Sequence, residues 1–209
     1  MKIISYFLLF YFYFTLSFAS TKQSKFNDWV DTFIPFAISQ GISKATVIEV
    51  MKNAKYLPKV IEYDRYQPEF YEDTNTYIKK RTSLNKIKEG SNIYKNNKNL
   101  IDNIEKLYNV DKSLLLALMG IETNFGKYLG KMNIISSLAT LSFDLRRRDF
   151  FTNELITILK LIDDDLIDHK ILYGSWAGAF GNFQFMPTTI RDYAVDYDKN
   201  QNVELKATK

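Results

Sequence analysis

Residues 111–126 read DKSLLLALMGIETNFG, an apolar run that carries one carboxylic acid near its end. Asp111 is a good N-cap ahead of the apolar positions. Leu115, Leu118 and Glu122 fall at i, i+3 and i+7, so a helix puts them on one face, flanked by Met119 and Ile121. Gly126 is placed to stop the helix at C′. This reading pushes Glu122 towards the core, about one turn from the negative end of the helix dipole. Desolvation and the dipole would then both disfavour the carboxylate and raise its pKa. A carboxylic acid kept protonated near neutral pH is what a site needs to protonate a leaving oxygen. The helix alone leaves a second reading open, an acid paired with a buried Arg or Lys.

The remaining composition narrows the chemistry. The chain has 209 residues, 46% apolar and 25% charged, enough for one domain with a real core. There is no Cys, which excludes a disulfide framework, a thiol nucleophile, a thiolate metal site and a lipid anchor on cysteine. The one His, His169, lies in the polar run DDDLIDHK and reads as a surface residue, so a Ser–His–Asp triad is not expected. Residues 1–19 read as a signal peptide: Lys2, an apolar and aromatic run from Ile3 to Phe18, and a small-x-small end at Ser17-Phe18-Ala19. The run is short for a membrane span and lacks a basic stop-transfer flank, so no stable span is expected after cleavage. An uncleaved N-terminal anchor is the rival reading. Without this segment the chain carries 27 basic and 24 acidic residues, a net +3.

Outward from the central helix, the pattern is helical almost throughout, and the class is mainly α. Phe26, Trp29, Val30 and Phe33 suit a helix, with a break or kink expected at Pro35. Ser43 caps a second helix through Val47, Val50 and Met51. Pro58 marks a turn, and Val60 to Phe70 reads as an extended connector because of Pro68. Residues 76–99 hold seven Lys or Arg against one acid, Glu89. They read either as a solvated helix face or as an electropositive flank for an anionic polymer. The charge suits nucleic acid too, but an export signal makes that partner unsuitable, and none is expected. Leu100 to Tyr108, Ile134 to Leu141 and Phe150 to Ile162 are further helices, with Asp163 to Asp165 ending the last in solvent. No alternating strand pattern stands out.

Residues 174–189 read GSWAGAFGNFQFMPTT. Three Gly and two Ala in eight residues allow close backbone approach, and Pro187 can open a helix through Tyr193. A phosphate loop is a poor fit, with no preceding strand and no Gly-Lys-Ser/Thr. A tightly packed loop without a ligand remains the plain alternative.

Three ordered stretches, IETNFGKYLGK, LATLSFDLRRRDFF and GSWAGAFGNFQFMPTT, resemble the B-type lytic murein transglycosylases of bacteria. Upstream, FNDWVDTFIPFAISQGIS and VIEYDRYQPEF look like that family's N-terminal helical segments. The resemblance covers about residues 26–205. It implies a lysozyme-like catalytic domain, here residues 20–209, with an N-terminal helical segment. Many members continue past the position of Lys209, so the domain is expected to be incomplete at its C-terminal end and its cleft short of one wall. The resemblance places the catalytic acid at Glu122, glycan contacts at Ser175 and Gln184, and peptide or glycan contacts at Arg147 and Arg148. Either arginine has an internal partner within reach in Asp144 or Asp149.

The implied reaction is a lyase step in peptidoglycan. Glu122 protonates the oxygen between N-acetylmuramic acid and N-acetylglucosamine, then takes the proton of the muramyl C6 hydroxyl as a 1,6-anhydro ring closes. One acid suffices, and no second acid has comparable context. A hydrolytic muramidase and a non-catalytic peptidoglycan-binding remnant are the alternatives. The expected place is the periplasm, and no cofactor is required. Asp196, Asp198, Asn200 and the Asn202 carbonyl fall at positions 1, 3, 5 and 7 of an EF-hand-like loop, as in some family members. Gln201 replaces the turn glycine and Ala207 the bidentate acid, so calcium binding there is expected to be weak.

Overall fold

Ser43, Asp73, Ser83 and Asp111 each begin a helix by accepting a hydrogen bond from the backbone N–H two or three residues on. The computed structural model describes residues 22–66, 72–197 and 199. The expected signal peptide therefore lies outside the described residues, as do Asp198, Asn200 and Asn202. The elements are α1 (residues 22–39), α2 (Lys44–Met51), α3 (Pro58–Arg65), α4 (Thr74–Arg81), α5 (Leu84–Asn96), α6 (Lys98–Tyr108), α7 (Lys112–Thr123), β1 (Met132–Asn133), α8 (Ile134–Phe143), α9 (Arg148–Asp163), β2 (Tyr173–Gly174) and α10 (Pro187–Tyr193). Among the described residues no helix is long and apolar enough to cross a membrane.

The chain divides into two compact units, one of residues up to Ile61 with Ile135–Lys170, the other of Glu62–Ile134 with the residues from Ile171 onward. In the first, Phe26, Phe33, Val47, Met51, Leu138, Phe151, Leu155, Ile158 and Leu159 form the core. Each such side chain contributes about 1.5–3 kcal/mol on burial. Phe143 meets Phe26 edge-on at 5.7 Å, and Tyr56 edge-on at 5.9 Å. Buried hydroxyls of α8 serve the preceding loop: Ser136 accepts from the Lys55 N–H at 3.1 Å and Thr140 from the Leu57 N–H at 3.0 Å.

Three expectations fail in this unit or at its edge. The helix α1 runs unbroken through Pro35, because burial of Phe26, Val30, Phe33 and Ala37 along one stripe outweighs the hydrogen bond that proline cannot make. Of the stretch 60–70 read as connector, residues 60–65 are helical and 67–70 lie outside the described residues; Pro58, read as a turn, stands at the first helical position, where its missing N–H costs nothing, and Val60 is buried. Asp163 is not simply solvated at the end of α9. Its carboxylate accepts from the Ser43 N–H at 2.9 Å and from the Ser43 and Thr46 hydroxyls, each at 2.6 Å, at the start of α2. Those bonds hold its pKa below the usual carboxylate range.

In the second unit α7 packs against α5 and α6. The basic stretch forms α4 and α5, separated by a cap at Ser83, and its acid Glu89 pairs with Lys127 at 2.6 Å. Lys112, at the start of α7, binds Glu105 at 2.8 Å and Asp102 at 3.2 Å. Lys98 also bonds Asp102, and the Asp102 carboxyl is held down to about 2, first by Lys98. A two-residue antiparallel ladder, Met132 opposite Gly174 and Asn133 opposite Tyr173, was not anticipated, being too short to show as alternation.

Candidate active site

Glu122 stands in the last turn of α7, and its side chain is exposed. The expected shared face is real, but it is not the buried one: Leu118 on the same face is 42% exposed, and Leu115 is only half-buried. The acid is presented to solvent, so the desolvation inferred from sequence is absent.

Helix α7 ends in an unusual turn. Asn124, Phe125 and Gly126 take φ of 50°, 59° and 81°, three left-handed residues in succession, where a single stop at Gly126 was expected. For a bulky residue such as Phe125 this conformation is costly. Its ring lies against Gly90 of α5 and Gly120 of α7. A Cβ added to Gly120 would come within 2.8 Å of the Phe125 ring, and one on Gly90 within 3.2 Å. The Phe125 N–H is satisfied by the Met119 carbonyl at 3.0 Å.

The glycine-rich stretch comes to this turn at several points. Gly130 and Gly174 approach so closely that a Cβ on Gly130 would lie 2.0 Å from the Gly174 carbonyl oxygen. Ser175 closes a small loop: its N–H donates to the Ala179 carbonyl at 2.8 Å, and its Oγ accepts from the Ala179 N–H at 3.0 Å. Gln184 sits at φ 50°, with Nε2 donating to the carbonyls of Gly181 at 2.9 Å and Leu129 at 3.3 Å. Thr123, fully buried beside Glu122, donates from its hydroxyl to the Asn182 carbonyl at 2.8 Å. One unit thus gathers Glu122, Ser175 and Gln184 onto neighbouring stretches of backbone. Sequence reasoning missed Thr123 and Asn182; a hydroxyl residue in the last turn of an apolar helix, next to the acid, was the available signal.

Arg147 and Arg148 belong to the other unit. The Arg147 guanidinium lies 4.8 Å from the centre of the Phe151 ring. Arg148 donates from Nε to the Ser142 carbonyl at 3.1 Å and from Nη2 to that of Phe143 at 2.8 Å, satisfying carbonyls at the end of α8. Asp144 accepts from the Arg146 N–H at 3.0 Å. Of the calcium candidates only Asp196 is described, and among the described residues no group of three His, Cys, Asp or Glu side chains is placed to hold a metal. A cavity of about 530 Å³ lies between α5 and α7, lined by Ile87, Leu116, Ile121 and Phe125 among others; Glu122, Ser175 and Gln184 do not line it.

The chain is mainly helical, the end of α7 is bonded to the glycine-rich stretch through Thr123, and the solved neighbours are lytic transglycosylases of lysozyme-like fold. Residues 25–209 match the model of the Transglycosylase SLT domain, and the chain belongs to that family. It is 34% identical over 130 residues to membrane-bound lytic murein transglycosylase B of Escherichia coli K12, covering 62% of this chain and 36% of that protein. Among solved structures it is similar to SltB3 of Pseudomonas aeruginosa in complex with NAG-NAM-pentapeptide, at 32% identity and a TM-score of 0.83, over 88% of this chain and 49% of that one. It is similar also to the Escherichia coli lytic transglycosylase Slt35 in complex with calcium, at 28% identity and a TM-score of 0.73, over 88% and 58%. The chain spans about half the length of these solved relatives, and just over a third of the curated one.

Proposed function

We propose that this chain cleaves the glycan of peptidoglycan as a lytic transglycosylase, with Glu122 as its single acid and base. The observation that carries the reading is the clasp in which the residue beside an exposed Glu122 is bonded to the loop bearing Gln184. Membership of the family and the peptidoglycan fragment bound by a relative support the substrate class. The Glu122 carboxyl protonates the oxygen joining N-acetylmuramic acid to N-acetylglucosamine, and that bond breaks. The resulting carboxylate accepts the proton of the muramyl C6 hydroxyl as its oxygen bonds to the anomeric carbon. Atoms balance without water: the products are a free sugar hydroxyl, a 1,6-anhydro end and a carboxylic acid ready for the next turn. The Gln184 amide and the Ser175 hydroxyl orient the sugar. Exposure of Glu122 in the free protein fits an acid that loses its water only when glycan covers it.

Mass spectrometry of digested peptidoglycan tests this. The expected products carry 1,6-anhydromuramyl ends, one water lighter than hydrolysis products, and Glu122→Gln abolishes them while remaining folded. Reducing ends alone make the protein a hydrolytic muramidase. Retention on peptidoglycan without either product is the outcome for a binding remnant.

Residues 1–19 direct export to the periplasm in this proposal, and N-terminal sequencing of the exported protein should begin at Ser20. Calcium, if taken up, is held by Asp196, Asp198, Asn200 and the Asn202 carbonyl. Those donors are chemically suitable oxygens, but the missing turn glycine and twelfth-position acid limit affinity to about 10⁻⁴–10⁻³ M. Calorimetry with and without Asp196→Ala checks it.

A further inference from the structure

Thr123 has no part in the proton transfers of Glu122, yet it is the fully buried hydroxyl at the centre of the clasp. Its Oγ accepts from the Gly126 N–H at 2.9 Å. Its single proton has two acceptors in range, the Met119 carbonyl at 3.1 Å within α7 and the Asn182 carbonyl at 2.8 Å in the glycine-rich stretch, and the shorter contact leaves the helix. Gly126 is pressed against the same residue, since a Cβ there would stand 3.0 Å from Asn182 Oδ1. Two residues beyond Asn182 comes Gln184, in the left-handed region and anchored by its side chain to Leu129. The segment is closed on itself by paired backbone bonds between Phe180 and Phe185, each 3.1 Å. It is thus tied to the end of α7 at Thr123 and to the chain beyond the turn at Leu129.

We propose that the Thr123 hydroxyl is a positioning group, setting the distance between the acid of Glu122 and the sugar-binding face of the Gln184 loop. This rests on the catalytic reading of Glu122. A valine keeps the shape of threonine but offers neither donor nor acceptor, leaving the Gly126 N–H and the Asn182 carbonyl without their partner. The loop then settles in a new position, and misplacement on the scale of an ångström costs catalysis up to about a hundredfold. Serine retains the bridging oxygen and proton.

The test measures turnover of purified peptidoglycan at a temperature well below every variant's Tm, for wild type, Glu122→Gln, Thr123→Val and Thr123→Ser. The expected result is a roughly ten- to hundredfold loss in kcat for Thr123→Val with a smaller change in KM. The shape of the pH profile is unchanged, and Thr123→Ser recovers to within about threefold. Thr123→Ala substitutes for the valine variant should that one not fold. Wild-type kcat in the folded valine or alanine variant, beside an inactive Glu122→Gln, overturns the positioning role and leaves the catalytic reading standing. A loss that serine does not repair also overturns it, because shape and not the hydroxyl is then what matters. Full activity in Glu122→Gln, or none in wild type, removes the catalytic reading, and the positioning role falls with it.

Discussion

Two apolar helices of this chain meet opposite fates. Helix α9 buries nine of its sixteen residues, from Phe151 to Ile162, and even encloses Glu154 and Thr157. Helix α7 is the more apolar by composition, with seven apolar side chains in twelve residues, yet it buries only Gly120 and Thr123. Leu114, Leu118 and Ile121 are 55%, 42% and 38% exposed. The difference teaches that apolar periodicity says which residues share a face and not whether anything covers it. On α9 the stripe is complete and wide. On α7 the burial that exists is concentrated where small residues let Phe125 in and where Thr123 meets the loop.

The largest effect expected from that contrast is in paired truncations. Leu155→Ala, fully buried in α9, should lower stability by about 2–5 kcal/mol. Leu118→Ala in α7 should stay within about 0.5 kcal/mol. Chemical denaturation of the two variants measures both, and equal losses would break the contrast. A middling effect is expected at Gly120. Alanine usually stabilises a helix over glycine, but here its Cβ meets the Phe125 ring at 2.8 Å. Overpacking should win and cost about 1–3 kcal/mol, whereas a gain in Tm would show that the ring moves aside freely.

A smaller effect separates the helix ends. Asp163 ties the end of α9 to the start of α2, and its pKa is depressed by those hydrogen bonds. A group lowered on folding adds stability that is full above its unfolded value, about 4, and is lost as pH falls through the lower folded value. Asp163→Asn should thus lower Tm at neutral pH, with the gap to wild type closing in acid below about pH 4. Thermal melts across that range check the sign; a gap that widens in acid would rule out the carboxylate as its source. The smallest effect is expected at Arg148. Its donors cap α8, so Arg148→Ala should lower Tm slightly and change turnover of peptide-bearing and peptide-free glycan alike. Selective loss on peptide-bearing glycan would support the peptide-stem role that the resemblance implies.

Much of this protein was legible from its residues alone. The caps at Ser43 and Asp111, the helix opened by Pro187, and the mainly α class follow from local chemistry, in which a side chain satisfies a backbone group a few positions away. The family, too, was legible, because three stretches carry it in order. Helical Pro58–Arg65 and the unbroken α1 were not: Pro58 opens a helix where its missing N–H costs nothing, and at Pro35 the turn signal lost to burial of an apolar stripe. The solvent-facing side of α7, the anchoring of Asp163 at Ser43, and the bond from Thr123 to Asn182 were decided only by tertiary structure. Each joins positions 59 to 120 residues apart, or depends on whether such a partner arrives, and no local pattern encodes that meeting.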